Sequence, residues 1–207
     1  MTDPNQFSPQ SPIASSQPLT TFSRLPTSSL ISVGVEGNVY LIGYRGSGKS
    51  TVAQLLAAAI SWPWIDMDSL IEPRYGTTIR SIFEREGEAG FRAAESAVLQ
   101  ELSTRGHQVI ATGGGVVLNG QNRAVLRATG RTVWLTADAQ TLWQRISTDE
   151  TTAERRPKLT VGGPREVEEL LRRREPFYRE CADCTVDTAG RSPEEIAALV
   201  RAHLKLD

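Results

Sequence analysis

Asn38-Val39-Tyr40-Leu41-Ile42-Gly43-Tyr44-Arg45-Gly46-Ser47-Gly48-Lys49-Ser50-Thr51 is the stretch that decides the fold. Residues 38–42 are uncharged and mostly apolar, the pattern of a strand buried on both faces. Residues 49–60 are rich in Ala and Leu and read as a helix. Between them, Gly43 to Ser50 satisfies G-x-x-x-x-G-K-[ST], with the strand before and the helix after that the motif requires. Small glycines let consecutive backbone N–H groups turn inward around phosphates, and the helix beginning near Lys49 adds its positive dipole end. In such a loop Lys49 reaches the β and γ phosphates and the Ser50 hydroxyl ligates Mg²⁺. A Gly-rich turn without a ligand is the competing explanation, and the flanking strand and helix weigh against it.

Outward from this stretch, strand and helix alternate. Strands are expected at residues 38–42, 64–65, 108–112, 132–136 and 184–186. Helices are expected at 49–60, 69–74, 78–86, 91–104, 123–129, 139–146 and 165–180. A terminal helix starts at Ser192-Pro193-Glu194-Glu195. Five strands separated by helices imply an α/β fold of the P-loop NTPase type: a five-stranded parallel sheet with helices on both faces, plus a lid segment at about 147–163.

The chain has 207 residues, 39% of them hydrophobic and 23% charged, which suits one domain with a tail. Lys plus Arg number 23 against 24 Asp plus Glu, a net charge of -1 that lacks the basic excess of a general nucleic-acid or membrane-surface binder. No uncharged apolar run is long enough to span a bilayer. A cytoplasmic protein acting as a monomer is expected. Residues 1–37 read as a disordered Ser/Pro-rich leader: the first thirty hold five of the eleven prolines, and Asp3 and Arg24 are their only charges. They lack the apolar core of a secretory signal.

A phosphate loop alone does not separate kinases, ATPases and switch GTPases. Asp66 and Asp68 follow the second strand, at the sheet edge where α/β proteins bind ligands. One carboxylate is suited to the Mg²⁺ shell or to a hydroxyl proton, the other to neighbouring hydroxyls. The alternative is that Asp68 caps a helix beginning at Ser69.

From about Asn38 to the C-terminus the chain resembles the shikimate kinases. The resemblance rests on G-x-x-G-S-G-K-S-T at 43–51, D-M-D at 66–68, G-E-x-x-F-R-x-x-E at 87–95 and T-G-G-G at 112–115. It continues in R-R-P at 155–157, R-x-P-x-Y at 174–178 and V-D-T at 186–188. Each is weak alone; their order and spacing are specific. The resemblance implies transfer of the γ-phosphoryl of ATP, with Mg²⁺, to the 3-hydroxyl of shikimate in the biosynthesis of chorismate and the aromatic amino acids. It implies small-molecule substrates, with no nucleic acid or membrane as partner. It assigns ATP binding to Gly46, Ser47, Gly48, Lys49, Ser50, Thr51, Arg145, Arg156 and Arg191, and metal binding to Ser50 and Asp66. The acceptor falls to Asp68, Arg92, Gly114, Gly115 and Arg174, with Arg92 and Arg174 on its carboxylate. Lys49, Asp66 and Arg156 are the catalytic candidates, Arg156 as the lid arginine. Glu95, one turn from Arg92, is expected to hold that arginine in place.

Two other readings stay open: a related kinase for gluconate or a nucleoside monophosphate, and a non-catalytic nucleotide-binding module. Arg45 either reaches the acceptor carboxylate or points outward, and Lys158 stands where the family commonly has Leu. Arg172 and Arg173 are expected to be surface. Cys181-Ala182-Asp183-Cys184 reads as C-x-x-C, but it follows a helix and precedes a strand, the wrong context for a redox site. The two cysteines, His107 and His203 are expected to be structural.

Overall fold

The computed structural model describes residues 37–148 and 163–206. The expected leader up to residue 36 and most of the expected lid, with Arg155, Arg156 and Lys158, lie outside the described residues. All five side chains of β1 (Asn38–Ile42) are buried. Successive side chains of a strand face opposite ways, so such a strand must be covered on both sides. Tyr40 and Ile42 enter one core with residues of the helices on that face. Val39 and Leu41 enter a second core on the other.

The sheet is β2-β3-β1-β4-β5, formed with β2 (Trp64–Asp66), β3 (Val109–Ala111), β4 (Gly130–Thr136) and β5 (Cys184–Asp187). Every pairing is parallel, as expected from the alternation. Parallel register carries the ends of β1, β2 and β3 to one edge of the sheet: Leu41 pairs with Ala111, and Asp66 with Ala111 from the other side. Helices α1 (Lys49–Ile60) and α7 (Pro193–Leu204) supply the second core. The first takes residues from α2 (Met67–Tyr75), α3 (Ile79–Ser103), α4 (Gly120–Thr129) and α6 (Gly163–Cys181). α5 (Ala139–Thr148) packs on α6 around Leu142, Ile146 and Val167.

The predicted start of α7 is present as a capping box, with Ser192 accepting from Glu195 N–H and the Glu195 carboxylate accepting from Ser192 N–H. Several boundaries differ from expectation. β4 begins at Gly130 rather than 132, because only a residue without Cβ fits there: a Cβ would lie 2.1 Å from the Asn38 carbonyl oxygen. A short 3₁₀ turn at Val116–Leu118, unmarked in the sequence, follows the three glycines. α3 runs through the two helices expected at 78–86 and 91–104, interrupted at Gly87 with φ 69° and ψ -167°. That backbone region is populated essentially by glycine alone. The break re-aims the second half of α3 and with it Glu88, Arg92 and Glu95.

No helix among the described residues is long and apolar enough to cross a membrane.

Gly87→Ala should retain the fold but lose about 1–3 kcal/mol of stability, the cost of holding an alanine in that conformation. Urea unfolding should show a lower midpoint at unchanged slope; an unchanged midpoint would mean that the break relaxes without cost.

Candidate active site

The phosphate loop leaves β1 with Gly43, Gly46 and Gly48 all at positive φ, and Gly48 sits at the N-terminus of α1. Lys49 Nζ donates to the carbonyl oxygens of Gly43 at 3.0 Å and Tyr44 at 2.8 Å, so its ammonium lies across the loop. Ser50 Oγ donates to Asp66 Oδ2 at 2.5 Å. The two residues named for a metal are thus in contact. Thr51 is exposed in the first turn of α1.

The alternative role foreseen for Asp68 is corrected. The cap of α2 is Asp66, whose Oδ1 accepts from Asp68 N–H at 3.0 Å, and the helix begins at Met67. Asp68 is left in the first turn, its carboxylate beside Gly113: a Cβ built on that glycine would lie 3.3 Å from Asp68 Oδ1.

The three glycines after β3 are a meeting point. A Cβ on Gly113 would lie 2.1 Å from Glu95 Oε1, and one on Gly114 would lie 3.4 Å from both the Gly43 carbonyl oxygen and Arg45 N. A Cβ on Gly115 would sit 2.3 Å from Arg92 Nη1, inside the guanidinium's own space. The Gly114 carbonyl oxygen accepts from Arg174 Nη1 at 3.2 Å and from the Tyr178 hydroxyl at 2.5 Å. Both expected carboxylate clamps therefore converge on the turn that rests against the phosphate loop.

Arg92 is held from two sides. Its Nη1 donates to Glu95 Oε2 at 2.8 Å and its Nη2 to Glu88 Oε1 at 3.1 Å. Glu95 is wholly buried, as its expected supporting role requires. Burial of Arg92 opposes its charge, but Glu95, and then Glu88, outweigh this and raise its pKa. Arg174 stands over the Tyr44 ring, its guanidinium carbon 5.3 Å from the centroid. A cavity of about 330 Å³ opens between these groups, lined by Arg45, Arg92, Gly114 and Arg174, by Glu88 and Glu166, and by apolar Phe83, Leu118 and Leu170 among others. Arg45 thus borders the cavity. Arg173 is exposed, as foreseen, and ion-paired with Glu169, and it borders the cavity rim. Arg172 is exposed as foreseen.

Arg145 is not free over an open face. Its Nη1 donates to Thr188 Oγ1 at 2.8 Å and its Nη2 to the Thr188 carbonyl at 2.7 Å, while Nη1 also approaches the Gly46 carbonyl oxygen at 3.4 Å. It ties the phosphate loop to the turn after β5. Arg191 lies exposed just before the α7 cap. Sequence reasoning missed Tyr44, Tyr178, Glu88 and Thr188 as parts of this site. The R-x-P-x-Y, G-E-x-x-F-R and V-D-T motifs already contained the last three.

Cys181 and Cys184 are free thiols at the end of α6 and the start of β5. His107 packs edge-on against Trp62, and His203 Nδ1 bonds the Leu199 carbonyl. All four lie in structural settings, as expected. Burial pushes the Cys181 thiol up to about 11.

Residues 45–205 match the family model described as shikimate kinase. The shikimate kinase of Rhodopirellula baltica is 46% identical over 160 residues, covering 77% of this chain and 86% of that protein. That of Aromatoleum aromaticum is 47% identical over 156 residues, covering 75% and 87%. The solved shikimate kinase from Acinetobacter baumannii, in complex with shikimate, superposes with a TM-score of 0.76 at 38% identity, covering 82% of this chain and 94% of that one.

Glu95→Gln should cost about 1.5–3 kcal/mol in urea unfolding, the worth of a hydrogen bond to a charged group; an unchanged stability would remove Glu95 as the anchor of Arg92. Because the Cys181 pKa is raised, its thiolate is scarce at pH 8 and increases only as pH approaches 11. Alkylation of Cys181 followed by mass spectrometry should therefore be slow at pH 8 and accelerate above pH 10, whereas rapid labelling at pH 8 would contradict a buried structural thiol.

Proposed function

The chain belongs to the shikimate kinase family, and from that premise we propose that it transfers the γ-phosphoryl of ATP to the 3-hydroxyl of shikimate, with Mg²⁺ as the divalent ion. The observation that carries this reading is the junction at Gly113 to Gly115, where Arg92 and Arg174 meet the phosphate loop. An acceptor with one carboxylate and several hydroxyls, to be phosphorylated, needs cations for the carboxylate and a phosphate cradle within one pocket. A planar guanidinium matches a carboxylate better than an ammonium does.

Ser50 and Asp66 present a hydroxyl and a carboxylate oxygen within 2.5 Å of each other at the foot of the loop, hard donors that fit Mg²⁺. When bound there, the ion neutralises charge on the triphosphate. The two carboxylates have different neighbours, which supports different roles. Asp66 is bonded to the phosphate-loop helix, whereas Asp68 lies against Gly113, one residue from the cavity wall. Asp68 accordingly accepts the ring hydroxyls and, in place of Asp66, takes the proton as the hydroxyl oxygen bonds to phosphorus and the bond to the bridging oxygen of ADP breaks. Lys49 exchanges its loop carbonyls for the β and γ phosphates. The R-R-P motif adds Arg156 to the charge-stabilising set on sequence grounds alone. Transfer of this kind depends on positioning and charge neutralisation more than on covalent work by the protein.

A panel of shikimate, gluconate and nucleoside monophosphates in one coupled ADP-release assay tests the reading, with phosphorus NMR locating the product phosphate. Release should depend on shikimate and Mg²⁺. Arg174→Ala should lower kcat/KM for shikimate about 100-fold or more, the scale of a desolvated charge left without its partner, and leave ATP affinity within about two-fold. Turnover with gluconate or a nucleotide in place of shikimate would reject the acceptor, and an Arg174→Ala enzyme with normal kinetics would reject the clamp.

A further inference from the structure

Tyr44 stands at a variable position of the phosphate-loop motif, yet it is only 4% exposed. Its ring packs with Ala137, with Leu142 and Ile146 of α5, and with Val167 of α6. The same ring lies under the Arg174 guanidinium, 5.3 Å from carbon to centroid, inside the range of a cation–π interaction. Its backbone carbonyl meanwhile accepts from Lys49 Nζ at 2.8 Å. One residue thus touches both the cation that faces the phosphates and the cation that faces the acceptor.

The two acceptor arginines are held by different chemistry. Arg92 is bound by the carboxylates of Glu95 and Glu88. Among the described residues no ion pair involves Arg174; the Gly114 carbonyl, the Tyr178 hydroxyl and the Tyr44 ring lie against it. Carboxylate partners, as at Arg92, take up part of the N–H edge. An aromatic face attracts the cation through its quadrupole and leaves that edge available. Burial raises the Tyr44 phenol, while Arg174 and Arg45 pull it down less strongly, so the hydroxyl stays protonated at neutral pH and the ring is uncharged.

We propose that Tyr44 is a positioning residue that holds Arg174 by its ring face in the orientation that receives the acceptor carboxylate. This rests on shikimate being the acceptor. The ring, not the hydroxyl, does the holding, so phenylalanine should replace tyrosine and an aliphatic side chain should not.

Steady-state kinetics of Tyr44→Leu and Tyr44→Phe, with Tyr44→Met as a second aliphatic variant should Tyr44→Leu not fold, read the effect. Tyr44→Leu should raise KM for shikimate about five- to thirty-fold, with KM for ATP within about two-fold, and Tyr44→Phe should restore the wild-type value. The preference for shikimate over its carboxamide should narrow by the same factor, because the lost element positions a cation. In an Arg174→Met background the change at Tyr44 should have almost no further effect on shikimate. The inference is overturned if Tyr44→Phe is as impaired as Tyr44→Leu, if both substrates weaken together, or if the loss persists without Arg174. A wild-type enzyme that leaves shikimate unphosphorylated rejects the acceptor itself, and the inference with it.

Discussion

The close approach of the Gly113–Gly115 turn to the phosphate loop is the contact on which the site depends. It follows from the parallel register of β1 with β3, which delivers both loops to the same edge of the sheet. The space left is small: at Gly114 a Cβ would already be 3.4 Å from the loop backbone on two sides. A backbone this near can offer its carbonyl to Arg174 and Tyr178 while its neighbours accommodate Glu95 and Arg92. The turn against which Arg92 and Arg174 lie and the phosphate loop therefore meet at one junction.

Gathering cations at such a junction raises a second constraint. Like charges repel, and a guanidinium left alone in a partly buried pocket forfeits its hydration. Each cation is held by a different device. Lys49 rests on carbonyls of its own loop. Arg92 is neutralised by the wholly buried Glu95 and by Glu88. Arg145 bonds both Thr188 Oγ1 and the Thr188 carbonyl. Arg174 has a ring face, the Gly114 carbonyl and the Tyr178 hydroxyl. These devices keep Arg45, Arg92 and Arg174 at the wall of one cavity, while Ser50 and Asp66 bond each other at the start of the helix that follows the phosphate loop.

Much of this was legible in the residues. The run at 38–42, the glycines and Lys49 announced a strand, a loop and a helix, because burial on both faces and phosphate binding each demand a local pattern. The Ser192 capping box was readable for the same reason: its donors and acceptors lie within four residues of chain. The two-helix reading of α3 located the break but not its form, since the sequence marks a glycine and not the φ it adopts. Which aspartate caps the helix was ambiguous, because a D-x-D that caps a helix and one that binds a ligand are the same letters; only the bond from Asp68 N–H to Asp66 showed that the cap is Asp66.

The sequence by itself determined the fold class, the phosphate loop and most of the charged residues of the site, because each is specified by spacing within a few residues. Only the tertiary structure decided what Tyr44, Tyr178 and Thr188 do. Their partners lie far along the chain: Arg174 and Tyr178 reach Gly114 across 60 and 64 residues, and Arg145 reaches Thr188 across 43. Contacts at that range exist only once strand order has been set, and strand order is a property of how the whole sheet packs.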